Sequence, residues 1–182
     1  GSDVVTDLSG NPLIDALAES SEEYTIDTIA PSPESILRQS PSGDFTSEDA
    51  IVFRVTFDEP VLGLDSSDFE IIGTTSATVT SLLSADSGEG RTWDVTVSGG
   101  NLADFTGSVA IALATNNDVS DRAGNLLATR SLPVNESWNV DNQTPFADIV
   151  DIMPDPRGSA VGIVTIEFDE PVRAITPGQA VV

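Results

Sequence analysis

The stretch IVFRVTFDEPV, Ile51 to Val61, decides the fold. It alternates strictly: Ile51, Phe53, Val55 and Phe57 fall on one face, and Val52, Arg54 and Thr56 on the other. A period of two with β-branched and aromatic residues is a strand with one buried face. The strand runs directly into an acidic turn closed by Pro60. The same phrase returns as VGIVTIEFDEPV, Val161 to Val172, with Val164, Ile166 and Phe168 on the apolar face.

Other landmarks recur in the same order. DLSGNPL (Asp7 to Leu13) is matched by DRAGNLL (Asp121 to Leu127), and YTIDTIAP (Tyr24 to Pro31) by WNVDNQTP (Trp138 to Pro145). Gly10 to Gly124 and Tyr24 to Trp138 each span 114 positions, and Phe57 to Phe168 spans 111. Such agreement predicts an internal repeat of about 110 residues, the size of an immunoglobulin-like sandwich. Residues 1–27 then hold the end of one repeat behind a Gly1-Ser2 scar, 28–141 a complete repeat, and 142–182 the start of the next.

Within the complete repeat, strands are expected near Glu34–Arg38, at 50–57 and at Asp68–Ile72, the last with Phe69 and Ile71 inward. Ala77–Leu83 is β-rich without a clear facing, and Asp86–Gly90 is a turn. RTWDVTV then places Trp93, Val95 and Val97 inward, and SVAIALA places Val109, Ile111 and Leu113 inward. A long loop, Asn116 to Leu132, precedes a closing strand at about Val134–Val140. Asp15–Glu23 allows a brief helix. About seven short strands separated by turns predict an all-β, immunoglobulin-like antiparallel β-sandwich.

Composition narrows the function. Seven basic against 30 acidic residues give a formal charge of −23, which repels nucleic acid and anionic membrane and excludes both as partners. An apolar content of 39% in well-patterned strands argues against disorder. Without cysteine, stability has to come from elsewhere, and bound divalent metal is one source. Without histidine, neither a Ser–His nucleophile nor a His-ligated zinc site can be built. Asp58 and Glu59 are adjacent on a strand end, point opposite ways and cannot flank a glycosidic bond, so no enzyme is expected.

FTSEDAIVFRVTFDEPVLGLDSSDFEI, DVSDRAGNLL and WNVDNQTP together resemble the tandem bacterial immunoglobulin-like domains of large repetitive surface adhesins. The resemblance covers one full and two partial modules. It implies a non-enzymatic, extended structural repeat of an extracellular or cell-surface protein, often made rigid by calcium between modules. The alternative is a module that binds carbohydrate or protein and is appended to a secreted enzyme. That reading calls for exposed aromatic residues, and aromatics make up 5% of the chain.

In a sandwich of this topology the turn after the second strand and the loop before the last strand share one end of the module. Asp58, Glu59, Asp118, Asp121 and Asn125 are therefore expected to converge on Asp27, the end of the preceding strand. At the next junction Asp141 (with Asn142) is expected to meet Asp169 and Glu170. Ca²⁺ takes six to eight oxygen ligands, and these groups supply carboxylates, an amide and loop carbonyls. A second reading stands beside it: Asp-x-x-Gly-Asn is also an ordinary turn, in which Asp121 caps backbone amides and Gly124 supplies positive φ. Asp65 and Asp68 carry the same ambiguity. The partial repeats are too short for a core of their own, so they are expected to pack on the central module or to self-associate.

Overall fold

A computed structural model describes residues 6–12, 23–153, 155 and 157–173. The chain is all-β and its two principal sheets face one another as a sandwich. The first sheet is built around β3 (Ala50–Phe57), paired on one side with β1 (Pro33–Ser40) and on the other with β6 (Thr92–Ser98). β5 (Thr78–Ser84) and the two-residue β8 (Val134–Asn135) form its edges. The second sheet runs β2 (Phe45–Thr46), β9 (Trp138–Asp141), β7 (Thr106–Leu113) and β4 (Phe69–Ile72). A separate antiparallel hairpin joins β10 (Ala147–Ile149) to β11 (Ile166–Phe168). Among the described residues no helix is long and apolar enough to cross a membrane. The short helix expected at 15–23 falls almost wholly outside the described residues.

The alternation of β3 becomes the centre of the core. Ile51, Phe53, Val55 and Phe57 are fully buried, while Val52, Arg54 and Thr56 are half-buried on the other face. Phe53 lies opposite Val95 and Ile51 opposite Val97 on β6. The second sheet answers with Val109, Ile111 and Leu113 from β7, Trp138 and Val140 from β9, and Phe69 from β4. On the outer face, Arg54 sits directly opposite Asp94, and its Nε and Nη2 donate to the two carboxylate oxygens at 2.8 and 2.9 Å. A bidentate pair across neighbouring strands fixes their register more than it adds stability.

Two expectations need correction. The sheets are mixed rather than purely antiparallel, because β8 runs parallel to β1 and β9 parallel to β2. The segments 33–46 and 134–141 each contribute a strand to both sheets, so they cross from one layer to the other side by side. Arg38 clamps that crossover: its backbone N–H donates to Glu136 Oε2 (2.8 Å) and its Nη1 to the Ser137 carbonyl (2.9 Å). Trp93, expected in the core, is only half-buried at its margin, with Nε1 donating to the Gly90 carbonyl at 3.1 Å. Its cross-strand neighbour Val55, on the same face, is fully buried.

One glycine is fixed by its surroundings. Gly100 has φ +57°, and a Cβ there would run into the backbone of Ser76 and Ala77. Asn101, next in the chain, ties the same place down: its Oδ1 accepts the Ser76 amide at 2.7 Å.

Candidate metal centre

The acidic turn after β3 sends its two carboxylates to different tasks, as the geometry of a strand end requires. Asp58 faces the chain entering β1: its N–H donates to the Ser32 carbonyl (3.0 Å) and its Oδ1 accepts the Ser32 N–H (2.8 Å). It closes the end of the β1–β3 pair. Glu59 points the other way and meets Asp27 and Asp121. One carboxylate oxygen from each of Asp27, Glu59 and Asp121 lies within 4.8 Å of the others.

Asp121 is positioned by the turn it starts. Its carboxylate accepts the Asn125 N–H on Oδ1 (2.9 Å) and the Asn125 side-chain amide on Oδ2 (2.7 Å). Its own N–H donates to the Asn125 carbonyl at 3.1 Å, and Gly124 supplies φ +89°. These donors lower the Asp121 carboxyl below the ordinary aspartate range, although the residue is buried. Asp27 arrives on the extended linker before β1, and Asn125 fastens that linker. Its Nδ2 also donates to the carbonyls of Asp27 and Ile29, both at 3.2 Å.

Glu59 bears the electrostatic cost of this meeting. Burial first, then the charges of Asp27, Asp121 and Asp58, push its carboxyl above the ordinary glutamate range, with Arg91 opposing them. Arg91 also donates to the Asp58 carbonyl. A raised acid destabilises the folded state when ionised. That penalty is absent at low pH and appears as pH rises through the raised pKa. Glu59→Gln is therefore expected to raise the melting temperature of the metal-free protein at neutral pH. The gap from wild type should close as pH falls into the carboxylate range, which melting curves across a pH series measure.

The trio fits a hard cation. Three carboxylate oxygens from three separate segments leave further positions for loop carbonyls or water, the donor set of Ca²⁺ or Mg²⁺ rather than of a softer metal. The cluster Asp27–Glu59–Asp121 can thus hold a metal ion.

The remaining candidates divide. Asp58 closes a strand pair, and Asn125 turns its amide nitrogen toward the linker and Asp121. Asp118 lies beside Gly63, outside the group of three, and its backbone N–H stabilises the carboxylate of Asp68. Asp65 and Asp68 cap a single 3₁₀ turn reciprocally: Asp65 accepts the Ser67 N–H (2.7 Å), and Asp68 accepts the Asp65 N–H (2.7 Å). At the second junction Asp169 repeats the pairing of Asp58. Its N–H donates to the Phe146 carbonyl (3.2 Å), and its Oδ1 accepts the Phe146 N–H (2.7 Å). Burial, then Asp141 and Asp169, push Glu170 upward, whereas Asp141 accepts the Thr106 hydroxyl at 2.9 Å. Among the described residues Asp141, Asp169 and Glu170 do not form a second three-oxygen group of that tightness.

Sequence reading missed the parts played by backbone. Ser32 and the carbonyl of Ile29 complete the junction, and nothing in their side chains announces it. Compared with protein-family models, with curated proteins and with solved structures, the chain matches none.

Proposed function

We propose that the chain is a non-enzymatic structural repeat of a bacterial extracellular or cell-surface protein, in which Ca²⁺ at the Asp27–Glu59–Asp121 cluster locks the incoming linker to the module. The observation that carries this reading is that the three carboxylates come from the linker, the turn after β3 and the loop before β8. A cation there ties the preceding segment to two loops of the next module, which is what a stiff tandem stalk needs. The likeness of the turn and loop phrases to adhesin repeats supports the same function, as does the net charge of −23.

Calcium neutralises the repulsion that raises Glu59 and so adds stability by binding only the folded junction. At ten times Kd the gain is about 1.4 kcal/mol, or roughly 5 °C in melting temperature. Melting in calcium against chelator measures it. Equal melting temperatures at millimolar calcium would rule the clasp out.

A further inference from the structure

We propose that the pocket between the Pro60–Leu64 turn and the β5–β6 hairpin binds a neutral pyranose ring. The ring lays its apolar face on Trp93 and holds its hydroxyls between Arg122 and Glu89. The pocket lies wholly within the central module, and none of the three carboxylates of the metal centre lines it.

The pocket holds about 380 Å³, within the range of small-molecule sites. Its walls are tied to one another. The Val61 N–H donates to the Gly90 carbonyl (2.9 Å), and Leu62 and Ser120 exchange backbone hydrogen bonds (2.7 and 3.1 Å). On the opposite wall Asp86 accepts the Ser84 hydroxyl and the amides of Gly90, Arg91 and Thr92, which fixes the tip of the hairpin. A site already ordered gives up little entropy when a ligand enters.

The lining divides into an apolar floor and a charged rim. Trp93 is half-buried, and Nε1, its one polar atom, is committed to the Gly90 carbonyl (3.1 Å). The indole therefore offers the pocket only carbon. Leu62, 51% exposed, extends this floor together with Pro60 and Leu64. At the rim stand Arg122 and Glu89, both exposed. Among the described residues neither side chain makes a hydrogen bond or an ion pair. Arg38, Arg54, Arg91, Arg130 and Arg157, by contrast, each donate to an oxygen of the protein.

A pyranose ring answers both parts. One of its faces presents C–H groups, which an aromatic surface covers, and the hydroxyls around its edge both donate and accept. A guanidinium only donates and a carboxylate only accepts, so Arg122 and Glu89 together suit hydroxyls. Other ligand classes fit less well. An anion meets Glu89 and a chain of net charge −23, and a cation meets Arg122. A wholly apolar ligand strips water from both charges and returns no hydrogen bond.

The chain has two tryptophans, and Trp138 is fully buried, so Trp93 is the one that a ligand in this pocket touches. Tryptophan fluorescence is titrated with the methyl glycosides of glucose, galactose and mannose, and with galacturonate at matched ionic strength. The titration is run in chelator, so its outcome is separate from the calcium reading. A saturable change with at least one neutral glycoside is expected, with Kd in the millimolar range and weaker binding of galacturonate. Arg122→Ala and Glu89→Gln, whose side chains the fold does not use, should each weaken binding about ten-fold at an unchanged melting temperature. Trp93→Phe should remove the fluorescence response. No saturable change with any of the three neutral glycosides overturns the proposal. So does galacturonate binding as tightly as the best of them, a response that persists in Trp93→Phe, or wild-type affinity in either rim variant.

Discussion

Phe53→Ala is expected to lower the free energy of unfolding by about 3–5 kcal/mol, read from the denaturant midpoint at unchanged slope. Phe53 is fully buried in the middle of β3, and both strands flanking β3 hold it in register: Arg38 lies opposite on β1 and Val95 on β6. The facing layer of β7 and β9 cannot follow a shrinking side chain, because Val109, Ile111 and Trp138 are themselves fully buried and fixed by their own pairings. A cavity remains, and its cost adds to the lost transfer energy. Phe53→Leu, which keeps most of the volume, should cost well under half as much. A small effect for Phe53→Ala would mean that the two sheets do not form one packed core.

Asp121→Ala should lower the melting temperature by roughly 5–10 °C even in chelator. It removes the acceptor for the Asn125 N–H and amide, and it frees the Asn125 amide from the place where it holds the Asp27 and Ile29 carbonyls. Because donors hold the Asp121 carboxylate below its ordinary range, its contribution is present above the usual aspartate pKa and is lost as pH falls through the lowered value. The variant should thus differ from wild type at neutral pH and converge with it in strong acid. Asp121→Asn separates the two roles of this residue. An asparagine can still accept a turn hydrogen bond, so stability in chelator falls less, while the calcium response is lost with the charge.

The parts of the fold that depend on one buried face were legible in the sequence. β3 and β7 show every second residue apolar, and the structure buries those residues. β5 resisted reading for a physical reason: a register shift between Val79 and Ser81 breaks the period, so Val79 and Leu82 reach the core three positions apart. The parallel pairings of β8 and β2 involve two residues each, too few to carry a pattern. Trp93 packs against the core as its register implies but is only half-buried, because hydrophobicity marks the face of a strand and not how far along it the core extends.

At the junction, Asp27, Glu59 and Asp121 come together, and topology alone was enough to expect their segments at one end of the module. Asp58 shared that placement, yet the alternation of a strand end turned it toward Ser32. Asn125, a candidate ligand or a turn residue by sequence, uses its side-chain nitrogen as a clasp on Asp121 and on the carbonyls of Asp27 and Ile29. Asp86 shows the same rule elsewhere. It accepts the Ser84 hydroxyl and the amides of Gly90, Arg91 and Thr92, which hold it far below the ordinary range in a purely structural loop. Carboxylates that collect donors build turns in this chain. Glu59 collects other carboxylates instead, a surrounding that a bound cation would relieve.

Calorimetric titration of calcium into wild type and into the triple variant D27N/E59Q/D121N decides whether these three carboxylates hold calcium. Saturable binding is expected in wild type, with Kd of about 10⁻⁴–10⁻³ M or tighter, as for extracellular modules. The same site should be missing from the triple variant, which must still melt cooperatively in chelator. No saturable binding in wild type, or equal binding in both proteins, would contradict a calcium clasp at Asp27, Glu59 and Asp121.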